Sequence, residues 1–267
     1  MTEEINVMEE GAGTVERIVE EVNRIYYDKV KDRFGEWAPL FKPFIEGEQM
    51  WKIYEKIRED SKTDTIVPKS SDTFRAFSTT HPHELKVVFY LMDPYPKRYK
   101  EGLYQATGIA MDCSNSPTGK LQPSLELFYD AIERDLGKKV EQSPNLEYLH
   151  QQGVMLLNTD LTCKLNKTES HKGLWEPFQK YFLQEVLRSK YHIIYVLCGK
   201  NSKKMEKYIP PFCRVFKLEH PVAASYAHTH WEHEGVFNKI NRILKDNSQR
   251  EIRWDKKDWD SYSKAPF

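Results

Sequence analysis

The sequence predicts an α/β fold, a central parallel four-stranded sheet with helices on both faces. Four short runs carry this expectation: Lys86–Met92 (KVVFYLM), Gly153–Leu161 (GVMLLNTDL), His192–Gly199 (HIIYVLCG) and Cys213–Glu219 (CRVFKLE). They are dominated by apolar, β-branched and aromatic residues, the pattern of strands covered on both faces. Stretches of helical spacing lie between them, and strands alternating with helices imply parallel pairing within one α/β unit. At 267 residues the chain is long enough to bury such a core without disulfides or metals.

The elements follow in order. Residues 14 to 30 repeat Val15, Ile18, Val19, Val22, Ile25 and Tyr26 at helical spacing, and residues 43 to 59 do the same with Phe44, Met50, Ile53, Tyr54 and Ile57. Residues 61 to 84 are polar, contain Pro68 and Pro82, and read mainly as loop. After the first strand, a helix over Ser124–Leu136 is expected to be capped at Pro123-Ser124 and to stop at Gly137. Leu174–Lys190 carries Leu174, Phe178, Tyr181, Phe182, Val186 and Leu187 on one face. A short basic helix is expected after Gly199, and a last one over Glu234–Lys245. The tail, Asp246–Phe267, is expected to pack back in its first half only.

Composition narrows the class. The chain has 40 basic and 40 acidic side chains, 30% charged and 39% hydrophobic residues, as in a folded, water-soluble domain. No apolar run approaches the roughly 20 residues of a membrane span. The acidic start, MTEEINVMEEGAG, lacks the basic-then-apolar order of a secretory signal. Cys113, Cys163, Cys198 and Cys213 form no CxxC pair and are too sparse for a disulfide framework, so an intracellular, reducing compartment is expected. The zero net charge hides an uneven distribution. Met1 to Arg24 holds seven glutamates against two arginines, and Lys164 to Lys207 holds ten Lys/Arg against four Glu. Smaller basic groups stand at Lys97, Arg98, Lys100 and at Lys138, Lys139. A local surplus gives a neutral molecule a positive face, because screening makes nearby charges count most.

The polar residues of interest sit at strand ends. The first strand runs into Asp93-Pro94-Tyr95, the second reaches Asn158, and the last runs into His220-Pro221. Open parallel sheets bind ligands beyond the carboxyl ends of their strands, so these groups converge at one edge although far apart in sequence. Taken singly, each is also an ordinary turn or cap residue; taken together they mark a site without naming a reaction. His228, His230 and His233, and the pair His81 and His83, lack a Cys or carboxylate partner at zinc spacing and read as loop histidines, so no metal is expected. There is no GxSxG, GxxxxGK[ST] or GxGxxG segment, which disfavours an α/β-hydrolase, an NTPase and a dinucleotide oxidoreductase.

At these strand ends the sequence resembles the uracil-DNA glycosylase family, which carries a strand ending GQDPYH, a later LLLNxxLT segment and a strand ending HPSPLS. The counterparts here are YLMDPYP (Tyr90–Pro96), LLNTDLT (Leu156–Thr162) and HPVAAS (His220–Ser225). FRAF (Phe74–Phe77), QATGIA (Gln105–Ala110), QPSLELFYDAI from Gln122, SHKGLWEPF (Ser170–Phe178), VLCGKNSKK (Val196–Lys204) and EIRW (Glu251–Trp254) keep the family order. The similarity covers about residues 35 to 255; each motif alone is weak, and their order carries the specificity. It implies a glycosylase-like α/β domain over 34–255, preceded by an acidic helical extension over 1–33 and followed by a tail over 256–267.

The resemblance implies a monofunctional hydrolase of N-glycosyl bonds that flips uracil out of DNA for base excision repair. It makes Asp93 the carboxylate that positions water and supports the sugar cation, and His220 the donor to uracil O2. Asn158 would read the uracil edge with its amide, and Tyr95 would exclude the thymine methyl. Met111 would contact the base face and Met92 would contribute to the pocket. Pro123 and Ser124, with Gly199 and Lys200, would meet the DNA backbone without reading sequence; Ala224 and Tyr226 lie where the emptied stack would be filled. No cofactor is implied. The implied partner is uracil-containing DNA, single- or double-stranded, bound by a monomer, with a DNA-mimic inhibitor protein or a replication protein as further partners.

Several positions depart from the family pattern. Met111 stands where a stacking Phe is usual, with less area and more freedom. Leu91-Met92 replaces GQ, Pro96 replaces His, and the Asp93–Gly108 segment is about five residues longer. Val222 replaces the serine of HPS and Ala224 the leucine plug, so a stronger preference for single strands is expected. These changes keep two further readings open: a weak or inactive glycosylase-fold protein that binds DNA or assists replication, and an enzyme accepting a modified pyrimidine.

Overall fold

The computed structural model describes residues 26–264. Residues 26–30 are helical; the remainder of the helix expected over 14 to 30, and the acidic run Met1–Arg24, lie outside the described residues. Helices α1 (Ala38–Ile45) and α2 (Glu48–Asp60) come first, followed by β1 (Ile66–Val67), α3 (Arg75–Ser78) and β2 (Val87–Leu91). Next are α4 (Pro123–Leu136), α5 (Glu147–His150), β3 (Val154–Asn158), β4 (Cys163–Lys164) and α6 (Glu176–Tyr181). The chain continues through β5 (Ile194–Cys198), α7 (Lys200–Lys203), β6 (Arg214–Leu218), α8 (Pro221–Ala227), α9 (Val236–Asp246) and α10 (Lys256–Ser263).

Four strands form a parallel sheet in the order β3-β2-β5-β6, as expected. Side chains alternate across a strand, and here both faces are buried. Val88, Tyr90, Met155, Leu157, Tyr195 and Leu197 point into one core with Phe34, Trp37, Phe41, Phe77, Phe178 and Phe182. Val87, Phe89, Leu91, Leu156, Ile194 and Val196 point into the other with Phe128, Ile132, Trp231, Phe237 and Trp254. Each such side chain contributes about 1.5–3 kcal/mol on burial. The edge strand β6 leaves Arg214 and Lys217 exposed, charges that discourage edge-to-edge pairing.

Several elements differ from expectation. The helix expected over 43 to 59 is two helices, because Gly47 is extended and starts α2 afresh. The expected loop over 61 to 84 contains β1, which pairs antiparallel with β4, and α3. Helix α4 takes Gln122 at its cap and Pro123 in its first turn, so Ser124 is not the cap. It stops at Gly137, whose φ is +65°, as a left-handed terminator should. Beyond Tyr181 the Leu174–Lys190 stretch widens into a π-turn over Phe182–Val186, closed by the Leu187 N–H on the Phe182 carbonyl at 2.9 Å. The N-terminus of α9 is held by Asp135 of α4, whose Oδ2 accepts the Phe237 N–H at 2.9 Å. The tail packs back beyond its first half: α10 sets Trp259 against the second core, and Lys138 pairs with Asp258 at 2.7 Å.

Candidate active site

Parallel pairing brings the polar strand ends to one edge. Leu91 of β2 is in register with Asn158 of β3, and Cys198 of β5 with Leu218 of β6. Asp93 and His220 each follow two residues beyond their strand, and Gly199 follows β5 directly. Asp93, Tyr95, Met111, Ser124, Asn158 and His220 line one cavity of about 30 Å³, together with Leu91, Pro94, Ala106, Thr107, Gly108 and Ile109. Six of the residues expected at the site therefore meet. Met92, Pro123, Gly199, Lys200, Ala224 and Tyr226 do not line this cavity.

His220 has a defined tautomer. It caps α8, and its Nδ1 accepts the Val222 N–H at 3.1 Å. Nδ1 is thus an acceptor, so the neutral ring carries its proton on Nε2. Burial pushes its pKa down to about 4, leaving a neutral imidazole with one N–H to donate. Gly199 makes room for it: at φ +95° it lies so close that a Cβ would come within 2.9 Å of the His220 Cβ.

Burial raises the pKa of Asp93, while the Glu169 N–H, 2.7 Å from Oδ2, opposes that rise. Asn158 is 9% exposed, and its carbonyl accepts from Gln179 Nε2 at 3.0 Å. Its side-chain amide makes no hydrogen bond among the described residues, which leaves both donor and acceptor for a ligand. The Tyr95 hydroxyl shares a 2.6 Å hydrogen bond with Ser124 Oγ and donates to the Met111 carbonyl at 3.3 Å. Met111 itself is left-handed, with φ +63°, a conformation that non-glycine residues adopt chiefly where surrounding structure imposes it.

The residues expected to grip DNA have more varied settings. Ser124 is only 5% exposed and its hydroxyl is engaged by Tyr95, which makes it a link between α4 and the pocket wall. Met92 turns its carbonyl to the Thr159 hydroxyl at 2.7 Å and the Asp160 N–H at 3.1 Å. Lys200 is exposed on α7. The segment after His220 forms the helix α8; Ala224 packs partly buried against the second core, and Tyr226 is 81% exposed. Much of the basic surplus over Lys164–Lys207 is spent locally. Lys164 and Lys167 pair with Asp64, Lys172 with Glu169, Lys203 with Glu219 and Lys207 with Glu176. Histidines outside the site are similarly divided, His81 to Glu36, His230 to Asp130 and His233 to Asp135. Among the described residues no group of three or more His, Cys, Asp or Glu is arranged to hold a metal, and no helix is long and apolar enough to cross a membrane.

Two residues beside the cavity escaped the sequence reading. Asp160, inside LLNTDLT, is 5% exposed and accepts the Gly173 N–H at 3.0 Å. Burial, opposed by the Trp175 and Gly173 N–H groups and reinforced by the charge of Asp93, pushes its pKa up to about 7. Glu169, just before SHKGLWEPF, reaches Asp93 through its backbone. An acid embedded in an apolar motif signals the first; nothing in the sequence signals the second.

The chain is similar to known proteins over most of its length. The chain is 31% identical over 224 residues to a uracil-DNA glycosylase of Fusobacterium nucleatum, covering 82% of this chain and 95% of the relative. It is 33% identical over 205 residues to that of Mesomycoplasma hyopneumoniae, covering 76% and 90%. Among solved structures, mimivirus uracil-DNA glycosylase superposes with a TM-score of 0.73 at 23% identity, over 82% of this chain and 86% of that one. A Y322F variant of the mimivirus enzyme, solved in complex with UGI, gives 0.74 over 82% and 88%, also at 23% identity. No protein-family profile matches the chain.

Proposed function

The chain belongs to the uracil-DNA glycosylase family, and from that premise we propose how its own residues release uracil from DNA. The enzyme hydrolyses the N-glycosidic bond of deoxyuridine and leaves an abasic site, the first step of base excision repair. Breaking that bond leaves positive charge on the sugar and negative charge on the departing base, so the catalyst must serve both. Asp93 supplies the negative group on the sugar side and orients the attacking water. His220 faces the base and donates its Nε2 proton to uracil O2, supporting the leaving anion without itself carrying charge.

The observation that carries this assignment is the Val222 N–H on His220 Nδ1. It makes the imidazole a donor at Nε2 whatever the ligand, and a pKa of about 4 keeps it neutral from about pH 5 upward. The acid limb of the pH–rate profile therefore belongs to Asp93, which acts ionised. Asn158 offers an N–H to uracil O4 and an oxygen to N3–H, a pairing that cytosine, with its amino group, cannot match. Tyr95, tied to Ser124 and Met111, is the wall at C5. Residues 34–255 act as the catalytic domain. The enzyme works as an intracellular monomer on single or double strands, with a DNA-mimic inhibitor protein as a second kind of partner.

The test is release of free uracil from a single-stranded oligonucleotide. Asp93→Asn is expected to lose orders of magnitude in rate while binding DNA as the parent does. Undiminished release by that variant would overturn the assignment.

A further inference from the structure

Glu169 lies between β4 and α6 in a backbone conformation that few non-glycine residues adopt, with φ +53°. Its N–H meets Asp93 Oδ2 at 2.7 Å. Its carboxylate faces the other way, accepting from Asn201 Nδ2 of α7 at 2.7 Å and from Lys172 Nζ. The loop around it is fastened on both sides. The Asn166 N–H reaches the Pro96 carbonyl at 2.6 Å, Ser170 Oγ accepts the Lys164 N–H at 2.7 Å, and Gly173 is held by Asp160. One residue thereby connects α7, where Lys200 is exposed, to the carboxylate beyond β2.

We propose that Glu169 is a positioning residue for Asp93, its backbone N–H fixing one carboxylate oxygen and its bond to Asn201 holding that backbone in place. The inference rests on the reading of Asp93 as the catalytic carboxylate. With Oδ2 committed to the loop, Oδ1 keeps a single orientation toward the reacting centre, and small misplacements of such a group are costly in rate. The titratable and charged groups around Asp93 are the carboxylates of Glu169 and Asp160, the Lys172 ammonium, the uncharged Cys163 thiol and the neutral His220 ring. The N–H of Glu169 favours the ionised form of Asp93, and the Glu169 carboxylate disfavours it. The two contributions have opposite signs, so variants can separate them.

Glu169→Ala and Asn201→Ala should each lower kcat by about tenfold with KM changed less than about twofold, and Asn201→Ala, which keeps the Glu169 charge, should move the acid limb of the kcat profile to higher pH. Glu169→Gln keeps an acceptor for Asn201 and loses the charge. It should restore most of kcat and move the acid limb to lower pH. An unchanged profile in Asn201→Ala, or a loss of kcat in Glu169→Gln equal to that in Glu169→Ala, would overturn the proposal. A 13C NMR titration of the Asp93 carboxyl in the same full-length variants reads the positioning without turnover. A rise of the Asp93 midpoint in Asn201→Ala supports the role of Glu169 even if the parent releases no uracil; an unmoved midpoint in that variant refutes it even if the parent is active.

Discussion

Gly199 and His220 are in direct contact across the ends of β5 and β6, so close that a methyl group on Gly199 would lie 2.9 Å from the His220 Cβ. Gly199 also has φ +95°, a region nearly closed to residues with a Cβ. The family resemblance assigns this glycine to the DNA backbone, and the packing gives it a second task, to let the imidazole sit at the cavity. Gly199→Ala is expected to displace His220, lower kcat by roughly 10–100-fold and destabilise the fold by about 1–3 kcal/mol. Single-turnover uracil release and urea unfolding measure the two effects. A variant with parental kcat would show that His220 does not depend on this contact.

Tyr95 closes the cavity with a hydroxyl bound to Ser124 Oγ at 2.6 Å and to the Met111 carbonyl at 3.3 Å. The ring should exclude substrates by bulk and the hydroxyl should keep the ring in place, two roles that different substitutions isolate. Tyr95→Ala is expected to release thymine from a thymine-containing oligonucleotide that the parent is expected to leave intact. Tyr95→Phe leaves the ring but strands a buried Ser124 hydroxyl, costing about 1–2 kcal/mol of stability while uracil remains the preferred base. Rejection of thymine by Tyr95→Ala would remove this residue from base selection.

The legibility of the molecule in its sequence follows from where burial imposes a pattern. β2, β3 and β5 are covered on both faces, so their composition alone marks them, and the strand-end rule then brings Asp93, Asn158 and His220 to one cavity. Short pieces such as β1 and α3 have no repeat long enough to show a period. The helix α8, seven residues long, is likewise too short to show a period, although Pro221 in the first turn and His220 as its cap are compatible with a helix start. Glu169 could not be read because its contribution to Asp93 is a backbone N–H, which every residue but proline possesses, delivered by a loop 76 positions away. Ser124 shows the converse. Its helix-terminal position suggests a cap, but the longer Asp93–Gly108 segment carries Tyr95, whose hydroxyl claims it.

Ala224 and Tyr226, both expected from the resemblance to lie where the emptied stack is filled, belong to one helix but differ in setting. Ala224 packs against the second core and its carbonyl accepts the Thr229 N–H at 3.0 Å, whereas Tyr226 is 81% exposed. A ring so displayed is suited to stack in the gap left by a flipped base, a contact worth about 1–3 kcal/mol. The parent should act faster on single strands than on duplex. Tyr226→Ala should lower the duplex rate by about tenfold and leave the single-strand rate within about twofold. An equal fall on both substrates would mean that the ring does not act as a wedge.

Asp160 provides the clearest dependence of stability on pH. Its pKa rises from 3.8 to about 7 because the carboxyl is buried, so between these values the folded protein keeps a proton that the unfolded chain has released. A folded pKa above the unfolded one gives stability that is fullest below about pH 4 and is lost as pH climbs to about 7. The ceiling on that loss is roughly 4 kcal/mol. Asp160→Asn removes the ionisation and retains Oδ1 as acceptor for the Gly173 N–H. The variant should match the parent in urea unfolding at pH 4 and exceed it at pH 8, the gap widening through pH 5 to 7. A difference between the two proteins that stays constant over this range would show that Asp160 does not titrate there. Contributions from His150 and His220, both pushed low by burial, are common to both proteins and cancel in the comparison.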